Sequence, residues 1–290
     1  MNDRRTAYLM IAPTVGVVAL VFLYPLLVSL WTSFHYEVLS QPHLNRFIGL
    51  GNYRWLLREP RFWDSLTRSL VFLLFSVSIS MGLGLLIALL LDRDLGPLSW
   101  IKALFLLPMV VTPVVVGIQW RFLLNAQFGV ANWWLESIGL PIGGAWLADP
   151  VGAMFWVIAV DIWYTTPYVI LLAGAGLESI PVEVRDAVKV DGASTWQARR
   201  YVLVPMLKQV LVVALLIRTI GGLRAFDTIL VITDGGPGRA TEVANLLTYR
   251  FGLQYFDMGK ASAMGWVMLL VALVLTLTYV RLLRVGTRTT

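Results

Sequence analysis

Apolar and polar residues in this chain separate into long blocks instead of the short alternation of a soluble domain. Six apolar runs lie near 9–34, 69–91, 101–124, 151–172, 207–230 and 261–283. Each comes close to the ~20 residues a helix needs to cross a ~30 Å hydrocarbon layer. The pattern predicts an all-α, polytopic membrane protein with six transmembrane helices, folded as one domain over residues 1–290. Prolines fall inside the runs at Pro13, Pro25, Pro108, Pro113 and Pro167. Membrane helices accept them where neighbours satisfy the freed carbonyls. Between the first two runs, GLGNYRWLLREPRFWDSL mixes Trp55, Phe62 and Trp63 with charges, as an interfacial segment does. No internal repeat or low-complexity linker is evident.

The polar blocks are short except one. Residues 176–206 separate the fourth and fifth runs, and their centre, SIPVEVRDAVKVDGASTWQARRYVLVP (179–205), is charged and helix-capable. An ordinary connection needs only a handful of residues. Ser179 is the expected N-cap, with Pro181 in the first turn. Glu183 then lies near the positive end of the helix dipole. Val184, Ala187 and Val188 share one face, and Glu183, Asp186 and Lys189 lie mostly on another. Gly192 can end this helix in a left-handed conformation. Ser194 and Gln197 form a capping box that starts a second helix, and Pro205 breaks it. The expected product is helix, tight turn, helix. It either docks a soluble partner or lies as an amphipathic hairpin on the lipid surface.

Composition narrows the classes. The chain is 58% hydrophobic and 14% charged, against roughly 25% charged in a soluble domain. Twelve tryptophans suit interfacial belts as well as bundle packing. The net charge of +6 comes without an aromatic-basic cluster outside the apolar runs, so no nucleic-acid partner is expected. Cysteine is absent and only His35 and His43 are present, which removes disulfides, thiolate catalysis and the common metal clusters. No catalytic residue and no metal site is expected. DGGPGR (234–239) lacks the Lys-Ser/Thr ending of a phosphate loop and reads as a tight turn on the outer face.

Basic residues set an expected orientation. Arg4 and Arg5 precede the first run, which is too long for a cleaved signal and reads as an uncleaved span. With both termini inside, Arg93, Lys102, Arg185, Lys189, Arg199, Arg200, Lys208, Arg281, Arg284 and Arg288 are also cytoplasmic. Arg46, Arg54, Arg58, Arg61 and Arg68 fall outside and blur the asymmetry. The orientation therefore rests on the N-terminus, the 92–97 turn and the C-terminus.

The loop carries a resemblance. DAVKVDGAS, followed by Val202 and Pro205, resembles the EAA motif of binding-protein-dependent ABC importer permeases, at Asp186, Ala187, Asp191, Gly192 and Ala193. Asp186 stands where that motif has Glu, and Val188 where it has its second Ala. IGLGNY (48–53), LLPMVVTP (106–113), FDTILVITDGGPG (226–238) and FDMGKASAMG (256–265) resemble further elements in the same order. The chain is most similar to the maltose, trehalose and glycerol-phosphate permease family. The resemblance implies a type I ABC importer permease fold in a bacterial or archaeal inner membrane. It implies a second homologous permease, two ATPase subunits and an extracytoplasmic substrate-binding protein as partners, with lipid around the spans and a sugar or polyol as solute. ATP and magnesium would be held by the ATPases, with no cofactor in this chain. The ATPase-coupling set would be Glu183, Asp186, Ala187, Lys189, Asp191, Gly192 and Ala193.

Two charges sit inside the runs, where charge is costly and either functional or paired. Asp161 and Arg218 each lie roughly 15 Å or more into their spans at 1.5 Å per residue, so an ion pair near the midplane is expected. It is either a structural neutralisation or part of a solute cavity. By family matching, DIWYTTPY places Asp161, Tyr164, Thr165 and Tyr168 on the substrate pathway, facing Arg218, Gly221 and Gly222. Arg224 and Asp227 would guard the outer mouth or pair with each other. An ion-coupled secondary transporter, using Asp161 as its ion site and no ATPase, is the alternative. A membrane-embedded enzyme has no nucleophile–base set to support it.

Overall fold

The computed structural model describes residues 3–92, 100–138 and 146–286. Arg93, the remainder of the expected 92–97 turn and Arg288 lie outside the described residues.

The first run is a broken helix. Helix α1 (Asp3–Val18) passes through a wide π turn at Ala19–Leu23 into α2 (Tyr24–Ser33). Pro25 explains the turn, because its ring would clash with the carbonyl four residues back and it offers no N–H. Strands β1 (His35–Tyr36) and β2 (Arg46–Phe47) then pair antiparallel, His35 against Phe47. The expected interfacial segment divides at Glu59. Helix α3 (Gly51–Arg58) is separate, but residues from Pro60 belong to α4 (Pro60–Leu91). That helix starts well before the expected residue 69 and has 32 residues, about 48 Å at the α-helical rise.

The third run departs most from expectation. Helix α5 (Trp100–Leu106) and a 3₁₀ turn (Leu107–Val110) meet α6 (Pro113–Leu123) at a 97° bend. Pro108 and Pro113 withdraw N–H donors on either side of it, so a straight span over 101–124 does not form. Helix α7 (Val130–Ser137) is short and amphipathic. Helix α8 (Pro150–Glu178) is capped by Asp149, whose carboxylate accepts from the Gly152 amide at 2.6 Å. The polar loop contributes α9 (Val182–Val190), α10 (Thr195–Ala198), a π turn at Arg199–Leu203 and α11 (Val204–Met206). It meets α12 (Lys208–Arg224) at 66°. The fifth run is also interrupted: α12 stops at Arg224 and α13 (Asp227–Thr233) begins after a break. Helix α14 (Ala244–Tyr249), a π turn at Arg250–Gln254 and α15 (Met258–Gly286) complete the described chain. Among the described residues four helices are long and apolar enough to cross a membrane, or up to six if each bent pair is one span.

The chain forms two compact units, residues 1–63 with 247–271, and 64–246 with 272–290. In the first, two sequence motifs meet. Asn52, from IGLGNY, is buried and donates to the Ser33 carbonyl at 2.9 Å and the His35 carbonyl at 2.8 Å. Gly259, from FDMGKASAMG, lies so close to the His35 carbonyl that a Cβ would sit 2.3 Å from it. Lys260 pairs with Asp257 at 2.8 Å and lies 4.7 Å over the Trp55 ring. Both motifs act as structural brackets here. In the second unit, α13 packs along α6, where Gly117 leaves room for Val231, and DGGPGR folds as the expected tight turn. Asp234, Gly235, Gly238 and Arg239 there adopt positive φ.

Candidate functional site

The polar loop forms the helix–turn–helix its sequence predicts, with one correction at its start. Ser179 does not cap α9. It ends α8 and its hydroxyl turns back to donate to the Gly176 carbonyl at 2.7 Å. Pro181, not a first-turn residue, takes the N-cap position of α9. Glu183 and Lys189 occupy the first and last turns, in the order the helix dipole favours. Gly192 adopts φ +71°, and a paired C-cap follows: Gly192 N–H donates to the Lys189 carbonyl and Ala193 N–H to the Val188 carbonyl. Ser194 and Gln197 form both halves of the capping box.

One face of α9 is held and the other is free. Val184 packs against a buried cluster of Ala88, Ala173, Leu177, Ile180, Leu203 and Leu207. Arg185 is a second anchor that the sequence reading assigned only to a side of the membrane. It grips Asp92 with both terminal guanidinium nitrogens, at 2.9 and 3.2 Å, and donates to the Leu177 carbonyl at 2.6 Å. These contacts tie α9 to the ends of α4 and α8. Arg199 adds a donation to the Leu89 carbonyl at 2.7 Å. Facing away, Glu183, Asp186, Ala187, Lys189, Asp191 and Gly192 are exposed, and Ala193 is half-buried. Asp186 and Lys189 pair with each other at 2.8 Å. Val182 and Val190 are 61% and 87% exposed beside them. Seven of these residues are the expected coupling set, and Val182 and Val190 extend it; the free surface is a mixed polar and apolar patch.

A second constellation joins α4, α8 and α12. Arg218 Nη2 lies 2.9 Å from Asp161 Oδ2, so the expected ion pair forms. The same nitrogen reaches Ser76 Oγ at 2.9 Å, Nε reaches Ser80 Oγ at 3.3 Å, and the Ser76 hydroxyl donates to Asp161. Arg218, Ser76 and Ser80 are buried. Each charge thus has its opposite and added hydrogen bonds, as burial demands. The two serines were not among the sequence candidates. Their signal was available, since Ser76 and Ser80 stand four apart on one face of α4, inside its apolar run.

The other pathway candidates divide. Asp161, Tyr164, Thr165 and Tyr168 share one face of α8 at helical spacing, and all are half-buried. Thr165 donates to the Asp161 carbonyl at 2.6 Å, whereas the Tyr164 and Tyr168 hydroxyls bond to no protein group among the described residues. Gly221 is exposed with open space where a side chain would be. Gly222 does not give a solute access to the backbone: it is buried, and a Cβ there would lie 2.7 Å from Leu73 of α4. Its smallness serves helix packing. Arg224 and Asp227 are both exposed, and no ion pair joins them among the described residues. A cavity of about 830 Å³ lies on the opposite face of α8, lined by Phe155, Ile162, Trp163, Thr166 and apolar residues of α4 and α5. It contains none of the pathway candidates, and its lining offers little to a hydroxylated solute.

Residues 48–288 match the family described as binding-protein-dependent transport system inner membrane component. The chain belongs to that family. It is 36% identical over 281 residues to the trehalose/maltose transport system permease protein MalF of Thermococcus litoralis, covering 97% of this chain and 94% of that one. It is 34% identical over 265 residues to the trehalose transport system permease protein SugA of Mycobacterium tuberculosis, covering 91% and 84%. Among solved structures it resembles a chain of a bacterial alginate ABC transporter in complex with an alginate pentasaccharide-bound periplasmic protein. The TM-score is 0.81 at 25% identity, over 94% of this chain and 92% of that one. The permease therefore has the type I ABC importer fold expected from its sequence. It is a multi-pass inner-membrane component of a binding-protein-dependent transport system.

Proposed function

We propose that the permease forms half of the translocation pathway of an ATP-driven importer for a sugar or related polyol, and that α9 is the lever seated on a partner ATPase. The observation that carries this reading is the division of α9 into an anchored face and a free face. Arg185, Val184 and Arg199 fix the loop to three spans, so force applied at Asp186–Ala193 reaches α4, α8 and α12 without bending the lever. The partners on this reading are a second homologous permease, two ATPase subunits that hold ATP and magnesium, and an extracytoplasmic binding protein. The loop and both termini face the cytoplasm.

The solute class follows from relatives that carry trehalose, maltose and alginate, and from the aromatic and hydroxyl groups on one face of α8. Tyr164 and Tyr168 are its contacts in this chain, since aromatic faces stack on sugars and free hydroxyls pair with sugar hydroxyls. The Asp161–Arg218 pair positions that face. Reconstitution tests the whole reading. Uptake should require the second permease, the ATPase, the binding protein and ATP together. Gradient-driven uptake by the isolated chain would instead establish the ion-coupled alternative.

A further inference from the structure

A groove of about 540 Å³ runs between one face of α4 and the stretch that leads from α9 to α12. The α4 wall is Gly82, Leu85, Leu86 and Leu89, spaced as one helical stripe. Leu86 is 52% exposed, and no heavy atom lies within 4 Å of where a Gly82 side chain would begin. The facing wall is Trp196, Arg199, Arg200, Tyr201 and Val204. Trp196 and Tyr201 are each 68% exposed. Arg199 is spent on the Leu89 carbonyl and fixes the mouth of the groove at that level. Arg200 is exposed, lies 5.9 Å over the Tyr201 ring, and joins no ion pair among the described residues.

The groove is graded in chemistry. A basic, aromatic mouth at Leu89 gives way to an apolar trough that ends at Gly82, roughly 10 Å deeper along the helix. A soluble anion has no use for the trough. An apolar helix from another protein would fill the trough but offer Arg200 no counter-charge. A phospholipid satisfies both ends, since Trp and Tyr favour the headgroup level and arginine there attracts anionic headgroups. We propose that this groove holds one anionic phospholipid, its phosphate at Arg200 and one acyl chain along Leu89, Leu86 and Gly82. Such a lipid braces the segment that joins the lever to α12. The bilayer's anionic content thereby adjusts coupling; this last consequence rests on the function proposed above, whereas lipid binding does not.

Native mass spectrometry of the assembled transporter tests it, with phosphatidylglycerol, phosphatidylcholine or inorganic phosphate added. One phosphatidylglycerol should be retained and phosphatidylcholine should not. Arg200→Gln should weaken retention about fivefold, the value of one arginine near an anionic surface. Gly82→Trp fills the deep end and should abolish retention; it replaces a glycine inside a helix, so helix formation is not weakened. Equal retention of both lipids, wild-type retention by both variants, or displacement by inorganic phosphate would each overturn the proposal. The chain has no cysteine, so Leu86→Cys carries a photo-crosslinker at a single site. It should capture lipid; capture of the second permease would show that protein covers the groove. These readouts need no transport, so their failure leaves the importer reading untouched.

Discussion

Arg185 offers the sharpest test of the lever. Its guanidinium makes two bonds to the Asp92 carboxylate and one to the Leu177 carbonyl, with side-chain exposures of 27% and 17% for the pair. A fully exposed pair is worth under ~1 kcal/mol, and a hydrogen bond to a charged group in a sheltered site ~1.5–3 kcal/mol. Partial burial and bidentate geometry put the interaction between these limits, at about 1.5 kcal/mol, or roughly tenfold in the balance between a seated and a loose α9. Arg185→Met keeps the stem and removes the charge, and Asp92→Asn keeps the shape. Amide hydrogen exchange across residues 182–193 should rise about tenfold in either variant and hardly further in the double variant. The ratio of solute moved to ATP hydrolysed should fall in step. Strictly additive effects of the two substitutions, or unchanged exchange in Arg185→Met, would refute the clamp.

Gly192→Asp should uncouple transport from ATP hydrolysis while leaving the protein folded, because a Cβ there meets nothing within 4 Å and αL strain costs ~1–2 kcal/mol. Normal uptake with normal ATP stoichiometry would count against docking at this turn. Arg218→Met should cost about 3–5 kcal/mol by stranding the Asp161 charge, whereas Arg218→Met with Asp161→Leu should recover most of the loss. Thermal unfolding in detergent reads both, and a double variant no better than the single would contradict the neutralising role. Asn52→Ala removes the donor to the buried Ser33 carbonyl and the half-buried His35 carbonyl at a cost of about 1–3 kcal/mol, and Gly259→Ala must displace the His35 backbone. Both should lower the melting temperature without altering solute affinity in whatever fraction stays folded.

The sequence exposed what depends on local chemistry. The Gly192 turn, the Ser194 capping box and the Glu183–Lys189 dipole order were legible because each is decided within a few residues. The Asp161–Arg218 pair was legible because two stray charges in hydrocarbon have few alternatives. What stayed hidden depends on contacts between distant segments. Nothing near Arg185 reveals that its partner is Asp92, and Gly222 looked like a solute approach until Leu73 filled the space above it. The bend of 97° in the third run lay within reach, since Pro108 and Pro113 bracket it, yet their spacing alone does not distinguish a kink from a broken span. Ser179 misled because a serine two residues ahead of a proline reads as the cap of a following helix, whereas here the preceding helix claims its hydroxyl first.

The bracket between Asn52 and Gly259 has a consequence for biosynthesis. The hairpin and α3 find their receptor only when the segment around Lys260 has been made, long after they have left the ribosome themselves. Until then Asn52 can already serve the Ser33 and His35 carbonyls, but the Glu37 carbonyl lacks the Gly259 N–H that reaches it at 3.2 Å, so the opening part of the polypeptide waits in the bilayer with its packing incomplete.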